Sequence, residues 1–125
     1  MVNQAKFKIL EKECTGCIKC SLSSTRHNVV FGRGNPNAKL FVIGEAPGQQ
    51  EDDQGLAFVG RAGKMLENVF LSVGIDTNKD CYISNIVKCR PPNNRKPFLK
   101  EVSECSPWLT AVSYTHLTLP TILLV

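Results

Sequence analysis

Two short apolar runs predict buried strands, and an amphipathic stretch lies between them. Residues 39–43 (KLFVI) and 82–87 (YISNIV) have strand composition and are too short for typical helices. Residues 61–73 predict a helix, because their apolar side chains recur at helical spacing on one face. That face holds Met65, Leu66, Val69, Phe70 and Val73. A second helix is predicted to begin near Pro97 and to carry Cys105.

The order of these elements predicts an α/β fold with three layers around a central, mainly parallel sheet. Turn-rich segments follow both strands. The string GEAPG begins at Gly44, and residues 90–95 (RPPNNR) contain paired prolines that exclude a helix or a central strand. Ligands of such sheets bind beyond the carboxyl ends of the strands. We therefore expect residues 44–60 and 84–95 to converge on one site.

The overall composition is that of a single globular domain with a mild preference for polyanions. The chain has 125 residues, 42% of them hydrophobic, and a formal net charge of +4. No run of about 18 apolar residues is present, so we expect no membrane partner. Residues 1–12 lack the apolar core of a secretory signal, which predicts a cytoplasmic protein. We expect it to be a monomer.

The composition changes abruptly at Val112. Residues 112–125 (VSYTHLTLPTILLV) contain no Lys, Arg, Asp or Glu. The string VSYTHLTLPT also resembles the conceptual translation of a transposon adaptor used in preparing DNA sequencing libraries. We expect residues 1–111 to be the N-terminal part of a domain, and residues 112–125 to be a non-native tail in which His116 has no function. The alternative is a genuine β-strand, since Thr, Leu, Ile and Val suit strands.

Six cysteines are unusual in a chain without an export signal. Thiols in a reducing compartment are more often metal ligands or catalytic groups than disulfides. Cys14 and Cys17 form a CxxC pair, and Cys89 and Cys105 follow on distant elements. Four thiolates suit zinc or an iron–sulfur cluster, because soft metals favour sulfur. The pattern indicates a metal site that ties the N-terminal segment to the sheet.

Other assignments of the cysteines stay open. The triplet Cys14, Cys17 and Cys20 resembles the start of a ferredoxin run, although the Cys-Pro that continues such a run is absent. Buried cysteines also pack as small hydrophobic residues without any metal. We expect that fate for Cys20 and Cys81.

Four blocks of the chain together resemble the iron–sulfur uracil-DNA glycosylases of family 4. They are CTGCIKCSLSSTRHNVVFGRGNPNAKL, FVIGEAPGQQEDDQGLAFVGRAGKML, YISNIVKCRPPNNRKP and EVSECSPWL, in this order. The resemblance implies the uracil-DNA glycosylase fold, truncated at the C-terminus. It also implies a [4Fe–4S] cluster on Cys14, Cys17, Cys89 and Cys105. The implied activity is hydrolysis of the N-glycosidic bond of uracil in DNA, which starts base-excision repair.

The resemblance assigns the recognition of the base to three side chains. Phe58 matches the aromatic residue on which the flipped uracil stacks. Asn85 matches the catalytic amide that reads the base edge, and an amide can donate to O4 while accepting from N3–H. Glu51 lies near uracil C5 by resemblance, where it would exclude the methyl group of thymine. Taken singly, these residues also fit a core aromatic, a turn cap and a solvated carboxylate.

The GEAPG turn is expected to supply the chemistry at the sugar and at uracil O2. Its glycines permit a tight turn, so the backbone N–H groups of Gly44 and Ala46 can approach a ligand closely. Such donors stabilise negative charge that develops on O2 as the glycosidic bond breaks. By resemblance, Glu45 lies near the reacting sugar carbon, where it positions water or stabilises the cationic sugar.

Basic residues around the second turn predict contacts with DNA phosphates, which supply most non-specific affinity. The predicted DNA-binding residues are Arg90, Arg95 and Lys96, and Lys88 and Lys100 extend the same patch. Ordinary solvated charge is the alternative, particularly for Lys100.

The chain also departs from the family pattern. The family carries a second active-site segment with a histidine-containing loop, and residues 101–111 do not match it. We therefore predict that the 125-residue chain alone is inactive and marginally folded, with a long unpaired sheet edge. Two other functions stay open: an iron–sulfur-stapled nucleic-acid-binding module without catalysis, and a zinc-stabilised protein-interaction domain.

Overall fold

Helices and strands alternate along the part of the chain that the computed structural model describes, residues 4–114 and 121–124. The helices are α1 (Gln4–Thr15), α2 (Gln49–Gln54), α3 (Arg61–Ser72) and α4 (Leu99–Tyr114). The strands are β1 (Arg33–Gly34), β2 (Leu40–Gly44), β3 (Cys81–Asn85) and β4 (Thr121–Leu124). Short 3₁₀ turns lie at Ser21–Ser24 and Pro92–Asn94.

The four strands form one sheet in the order β1-β3-β2-β4. Strand β2 pairs in parallel with both β3 and β4, and β1 pairs antiparallel with β3 at one edge. The predicted α/β fold with a mainly parallel sheet is therefore confirmed. The register places Gly44 beside Asn85, so the carboxyl ends of the two central strands meet at one point.

Helices cover both faces of the sheet, which gives the three predicted layers. Side chains alternate along β2 and β3, so neighbouring residues enter different cores. One core joins the sheet to α1 and α4, and its buried members are Phe7, Cys14, Phe31, Phe41, Ile43, Tyr82 and Val112. The other joins the sheet to α3, and its buried members are Val30, Val42, Ala57, Phe70, Cys81 and Ile83. None of the helices within the described ranges has the length and apolar character needed to cross a bilayer.

The predicted apolar face of α3 is only half right. Phe70 is buried and Leu66 is partly buried against the sheet. Met65, Val69 and Val73 are exposed instead, Met65 by 66%. These three form an adjacent row on the helix at i, i+4 and i+8 spacing. The second row points to solvent.

Two helices were not predicted. Helix α2 lies in the segment after β2 for which the sequence predicts only turns, because QQEDDQ carries no apolar residue to mark a buried face. Glu51 stabilises its start by accepting the backbone N–H of Gly48 at 3.0 Å. Helix α1 brings Phe7 and Cys14 to the core on the same face, seven residues apart.

The compositional break at Val112 does not coincide with a structural break. Helix α4 runs through Val112, whose side chain is fully buried, and β4 pairs with β2 along four residues. Strand β4 therefore covers the edge of β2, and beyond it the described residues supply no further strand. The non-native origin of residues 112–125 stays a prediction, and His116 lies outside the described residues.

Candidate active site and cysteine centre

A cavity of about 350 Å³ lies at the carboxyl ends of β2 and β3, where the sequence predicts the site. This volume suits a small-molecule ligand. The six residues predicted to handle the base and sugar all line it: Gly44, Glu45, Ala46, Glu51, Phe58 and Asn85. The other lining residues within the segments predicted to converge are Pro47, Gly48, Pro91, Asn94 and Arg95. Ala62 and Gly63 also line the cavity and lie outside those segments.

Gly44 separates the two side chains expected to hold the base. A Cβ atom at this position would collide with the ring of Phe58 and with Oδ1 of Asn85. Glycine therefore leaves open the space between an aromatic ring and an amide. Any larger residue would fill the cavity from its floor.

Asn85 carries a buried amide that faces this space. The residue is 2% exposed, and no described residue donates to or accepts from its side chain. Buried amides are nearly always hydrogen-bonded, so an unpaired one at a cavity wall indicates a ligand. The backbone carbonyl of Asn85 accepts a hydrogen bond from Lys88 Nζ at 2.7 Å, which fixes the end of the strand.

Glu51 holds together the segments that surround the cavity. Its Oε1 accepts the N–H of Gly48 at 3.0 Å, and its Oε2 accepts those of Val59 at 2.9 Å and Gly60 at 2.5 Å. Both carboxylate oxygens are therefore committed to the backbone. The structure gives Glu51 a supporting role beside the one expected from resemblance, and exclusion of thymine stays a prediction.

Glu45 and Ala46 stand at the mouth of the cavity. The Glu45 side chain is exposed, while its backbone carbonyl accepts the N–H of Val87 at 3.2 Å. Within the described residues, the N–H of Ala46 has no acceptor, whereas that of Gly48 is taken by Glu51. The N–H of Ala46 is thus available to a ligand.

The four cysteines predicted to bind metal come together beside the cavity. Cys14, Cys89 and Cys105 are buried and Cys17 is partly buried. The Cys17 N–H donates to the Cys14 carbonyl, the N–H of Lys88 beside Cys89 donates to Cys105, and Trp108, one helical turn after Cys105, donates to Cys17. The four cysteines therefore lie close together. Cys81 is buried in the opposite core as predicted, whereas Cys20 is only partly buried, contrary to the prediction.

Backbone and side-chain N–H groups point at three of these sulfurs, each at 3.2 Å. Arg26 donates to Cys89, the Lys88 N–H donates to Cys105, and Trp108 Nε1 donates to Cys17. Burial raises the pKa of the Cys14 thiol to about 12 and that of Cys105 to about 11. A thiophilic metal displaces such protons, and N–H donors then stabilise the thiolates. The donor set therefore fits a soft metal centre.

The predicted basic patch needs one correction. Lys88 is buried rather than exposed, because it turns inward to Ser84 Oγ and the Asn85 carbonyl and lies 6.0 Å from the Phe31 ring centroid. Burial lowers the pKa of Lys88 to about 8. This side chain cannot contact DNA phosphates.

The other basic residues differ in how they are held. Arg95 donates to both carboxylate oxygens of Glu101 at 2.8 Å and stacks over the ring of Phe98. Arg90 donates to Asn94 Oδ1 at 2.7 Å. Lys96 is exposed, and Lys100 is exposed within 4.0 Å of Glu104. Phosphate contacts by Arg90, Arg95 and Lys96 stay predictions.

Sequence reasoning did not find the residues that support the site from a distance. Arg26, Trp108 and Glu101 each bind partners far away in the chain, and neither spacing nor composition marks them. Such contacts become visible only after the chain folds.

A comparison with protein families gives this arrangement its context. The family model of the uracil DNA glycosylase superfamily matches residues 31–125. The chain belongs to the uracil DNA glycosylase superfamily. The segments matched include the whole cavity and two of the four cysteines, Cys89 and Cys105. The resemblance derived from the four sequence blocks is thereby confirmed.

Curated members of this superfamily place the chain near its type-4 branch. It is 47% identical over 98 residues to a type-4 uracil-DNA glycosylase of Archaeoglobus fulgidus, which covers 78% of this chain and 49% of that protein. It is 46% identical over 102 residues to the type-4 enzyme of Saccharolobus solfataricus, with coverages of 82% and 47%. For the type-4 enzyme of Thermotoga maritima the identity is 43% over 105 residues, with coverages of 84% and 54%. The chain spans about half the length of the curated relatives it matches.

Proposed function

We propose that the intact protein is a uracil-DNA glycosylase that hydrolyses the N-glycosidic bond of uracil in DNA and so starts base-excision repair. One observation carries the proposal: the buried amide of Asn85 faces Phe58 across Gly44 and has no partner among the described residues. The names of the similar proteins support the same activity.

The cavity suits a base that has been rotated out of the DNA stack. Extrusion exposes the polar edge of uracil, which Asn85 can pair by donating from Nδ2 to O4 and accepting N3–H at Oδ1. The ring of Phe58 offers an aromatic surface on the neighbouring side. A base without matching groups would leave the buried amide unpaired, which makes this contact selective.

Bond cleavage needs stabilisation at both ends of the breaking bond. As C1′–N1 lengthens, the electron pair moves to the uracil ring and O2 becomes negative, where the N–H of Ala46 supplies a donor. The Glu45 carboxylate, exposed at the cavity mouth, faces the sugar that becomes positive. Water then adds at C1′ and gives up a proton, which balances the negative charge of the departing uracil anion, and Glu45 orients this water or stabilises the cation.

We further propose that Cys14, Cys17, Cys89 and Cys105 hold a [4Fe–4S] cluster. Four thiols suit a soft metal or an iron–sulfur cluster, and N–H donors already point at three of the sulfurs. The resemblance to the family 4 enzymes favours the cluster over zinc. When bound, the cluster acts as a structural staple, because hydrolysis transfers no electrons.

The remaining partners follow from the substrate. Arg90, Arg95 and Lys96 lie beside the cavity mouth and are proposed to contact DNA phosphates. Glu51 is proposed to help reject thymine as part of the wall that it holds in place. The protein is proposed to act as a monomer in the cytoplasm.

The test is excision of uracil from an oligonucleotide by the intact protein. Asn85→Ala is expected to lower the rate by about 100-fold or more, the range found when a polarising donor is removed. Asn68→Ala, at an exposed position of α3, is the matched control and should leave the rate unchanged. Excision of uracil by the Asn85→Ala variant at the wild-type rate would contradict the proposal. DNA binding without any wild-type excision would support the non-catalytic module.

The same assay applied to the 125-residue chain addresses its predicted inactivity. The relatives are about twice as long, so we expect no release of uracil from this chain alone. Uracil release by the purified chain would show that the described cavity is sufficient for catalysis.

A further inference from the structure

The backbone of Phe58 has a conformation that aromatic residues rarely adopt. Its φ is +54°, in the left-handed region where residues with a side chain are uncommon. This turn directs the ring toward Gly44 and into the cavity. Such a conformation persists only where the surroundings over-determine it.

Contacts on both sides of Phe58 hold the turn. Arg33 Nε donates to the Ala57 carbonyl at 2.6 Å, and Arg33 Nη2 donates to the Phe58 carbonyl at 3.2 Å. After Phe58, Glu51 accepts the N–H groups of Val59 and Gly60, as described above. Gly63 packs against the Phe58 backbone, where a Cβ atom would collide with the carbonyl group.

Arg33 is itself fixed from two directions. Its backbone lies in β1, paired with Ile83 of the central strand β3. Its remaining nitrogen, Nη1, donates to Asn78 Oδ1 at 2.9 Å and to Thr77 Oγ1 at 3.4 Å. The planar guanidinium thus spans two backbone carbonyls and a separate loop, which a lysine ammonium cannot do. Arg33 does not line the cavity.

We propose that Arg33 is a positioning residue that sets the base-stacking surface by holding the carbonyls of Ala57 and Phe58. The inference rests on the proposed function in taking the Phe58 ring as the surface on which uracil stacks. Arg33 touches neither base nor sugar and acts through Phe58 alone.

The first test is a double-mutant cycle in the intact protein. The probe is an oligonucleotide with one 2′-fluoro-2′-deoxyuridine, whose fluorine disfavours the cationic sugar and blocks cleavage. Its affinity is compared with that of the same oligonucleotide carrying thymine in place of uracil. Phe58→Ala should weaken uracil-dependent binding by about 10-fold or more, as for other base–aromatic stacks. Arg33→Gln should weaken it by about 10-fold, and Arg33→Gln should add nothing in the Phe58→Ala background. Additive effects would overturn the proposal.

Two variants test whether the planar guanidinium group of Arg33 is needed, rather than its positive charge or its contact with Asn78. Arg33→Lys keeps the charge but cannot span both carbonyls, so it should resemble Arg33→Gln in the uracil-to-thymine ratio. Asn78→Ala removes an outer partner of Arg33 and should leave that ratio within about twofold of wild type. A wild-type ratio in Arg33→Lys would show that charge alone matters and would contradict the proposal.

Hydrogen exchange tests the positioning role without DNA. The amides of Val59 and Gly60 should lose protection in Arg33→Gln and Arg33→Lys, while amides of β2 should not. Unchanged protection at residues 58–60 would overturn the role of Arg33. If the wild type shows no preference for uracil, the proposed function fails, and the exchange data still decide whether Arg33 holds the turn.

Discussion

The two walls of the cavity are built in different ways. The glycine wall, residues 44–63, is supported by contacts that are close or moderately close in the chain: Glu51 binds amides three, eight and nine residues away, and Arg33 binds the Ala57 and Phe58 carbonyls across 24 and 25 residues. The proline wall, residues 91–95, lies between elements tied to remote parts of the chain. Those ties join Arg26 to Cys89, Ser21 to Glu101 and Trp108 to Cys17, across 63, 80 and 91 residues.

Because of this difference, we expect each wall to lose stability independently of the other. Closing a short loop loses little chain entropy, whereas contacts between distant segments must offset a larger loss. The proposed metal centre, which would join α1, the end of β3 and α4, is expected to provide that offset at one point. The glycine wall should therefore survive changes that loosen the proline wall, and the reverse should also hold.

Removal of one cysteine should produce the largest difference in stability between the two walls. Cys14→Ser is expected to abolish iron binding and to lower the free energy of unfolding by about 4 kcal/mol or more, in the range that follows loss of a metal site. Hydrogen exchange should show loss of protection at residues 88–105, while the amides held by Glu51 stay protected. Iron analysis and exchange on the same sample provide the measurement.

The matched control is Cys81→Ala, because Cys81 is buried on the opposite face of the sheet. This substitution should lower the free energy of unfolding by about 1 kcal/mol and leave the iron content unchanged. Loss of iron in this variant, or retention in Cys14→Ser, would show that the four cysteines are wrongly assigned.

Glu51→Ala should instead loosen the glycine wall, with a smaller loss of unfolding free energy. The substitution leaves three partly buried N–H groups without their acceptor, which we expect to cost about 2–3 kcal/mol. Protection should fall at Gly48, Val59 and Gly60 and stay intact in the proline wall. Asp53→Ala, an exposed neighbour in α2, is the control and should change stability by less than about 0.5 kcal/mol. Equal loosening of both walls would contradict the separation.

Acid should loosen the proline wall through Glu101. Hydrogen bonding from Arg95 is the main reason that the pKa of Glu101 falls from 4.5 to about 2. A depressed carboxyl pKa stabilises the fold above the unfolded value, so this stabilisation is complete above about pH 4.5 and is lost toward pH 2. Glu101→Gln should therefore lower Tm by a few degrees at pH 7 and by almost nothing near pH 2. A Tm difference that does not vary with pH would refute this assignment.

Local patterns were sufficient to predict the central elements of the fold and the positions of the cavity residues. The runs at 39–43 and 82–87 are each within two residues of the observed strands, since buried parallel strands are continuously apolar. The GEAPG turn was placed correctly because a turn after a buried strand leads to the carboxyl edge of the sheet. The same rule places residues 84–95 at that edge, whereas the choice of Asn85 among them comes from the resemblance to the family 4 enzymes.

The contacts that support the site could not be predicted in this way. Lys88 reads as a surface cation, but the turn after β3 directs it inward, where Ser84 and the Asn85 carbonyl satisfy it. Glu51 was expected beside the base, but its hydrogen bonds to the segment at 58–60 could not be foreseen. The error for Lys88 arises because a charged residue was assigned to solvent before its tertiary partners were known.

The smallest expected effect concerns the Trp108–Cys17 contact. Trp108→Phe removes the Nε1–H donor to the sulfur while keeping an aromatic side chain against α1. A single hydrogen bond around a metal ligand affects metal retention by about 10-fold, so iron should be lost to a chelator about 10 times faster, with the fold intact. The donor also stabilises the more negative, reduced state of a cluster, so the reduction potential should shift to more negative values. Trp108→Ala provides the contrast because it removes packing as well and should also loosen the proline wall. If Trp108→Phe loosens that wall as much as Trp108→Ala does, the hydrogen bond to Cys17 supports the proline wall beyond its effect on the metal.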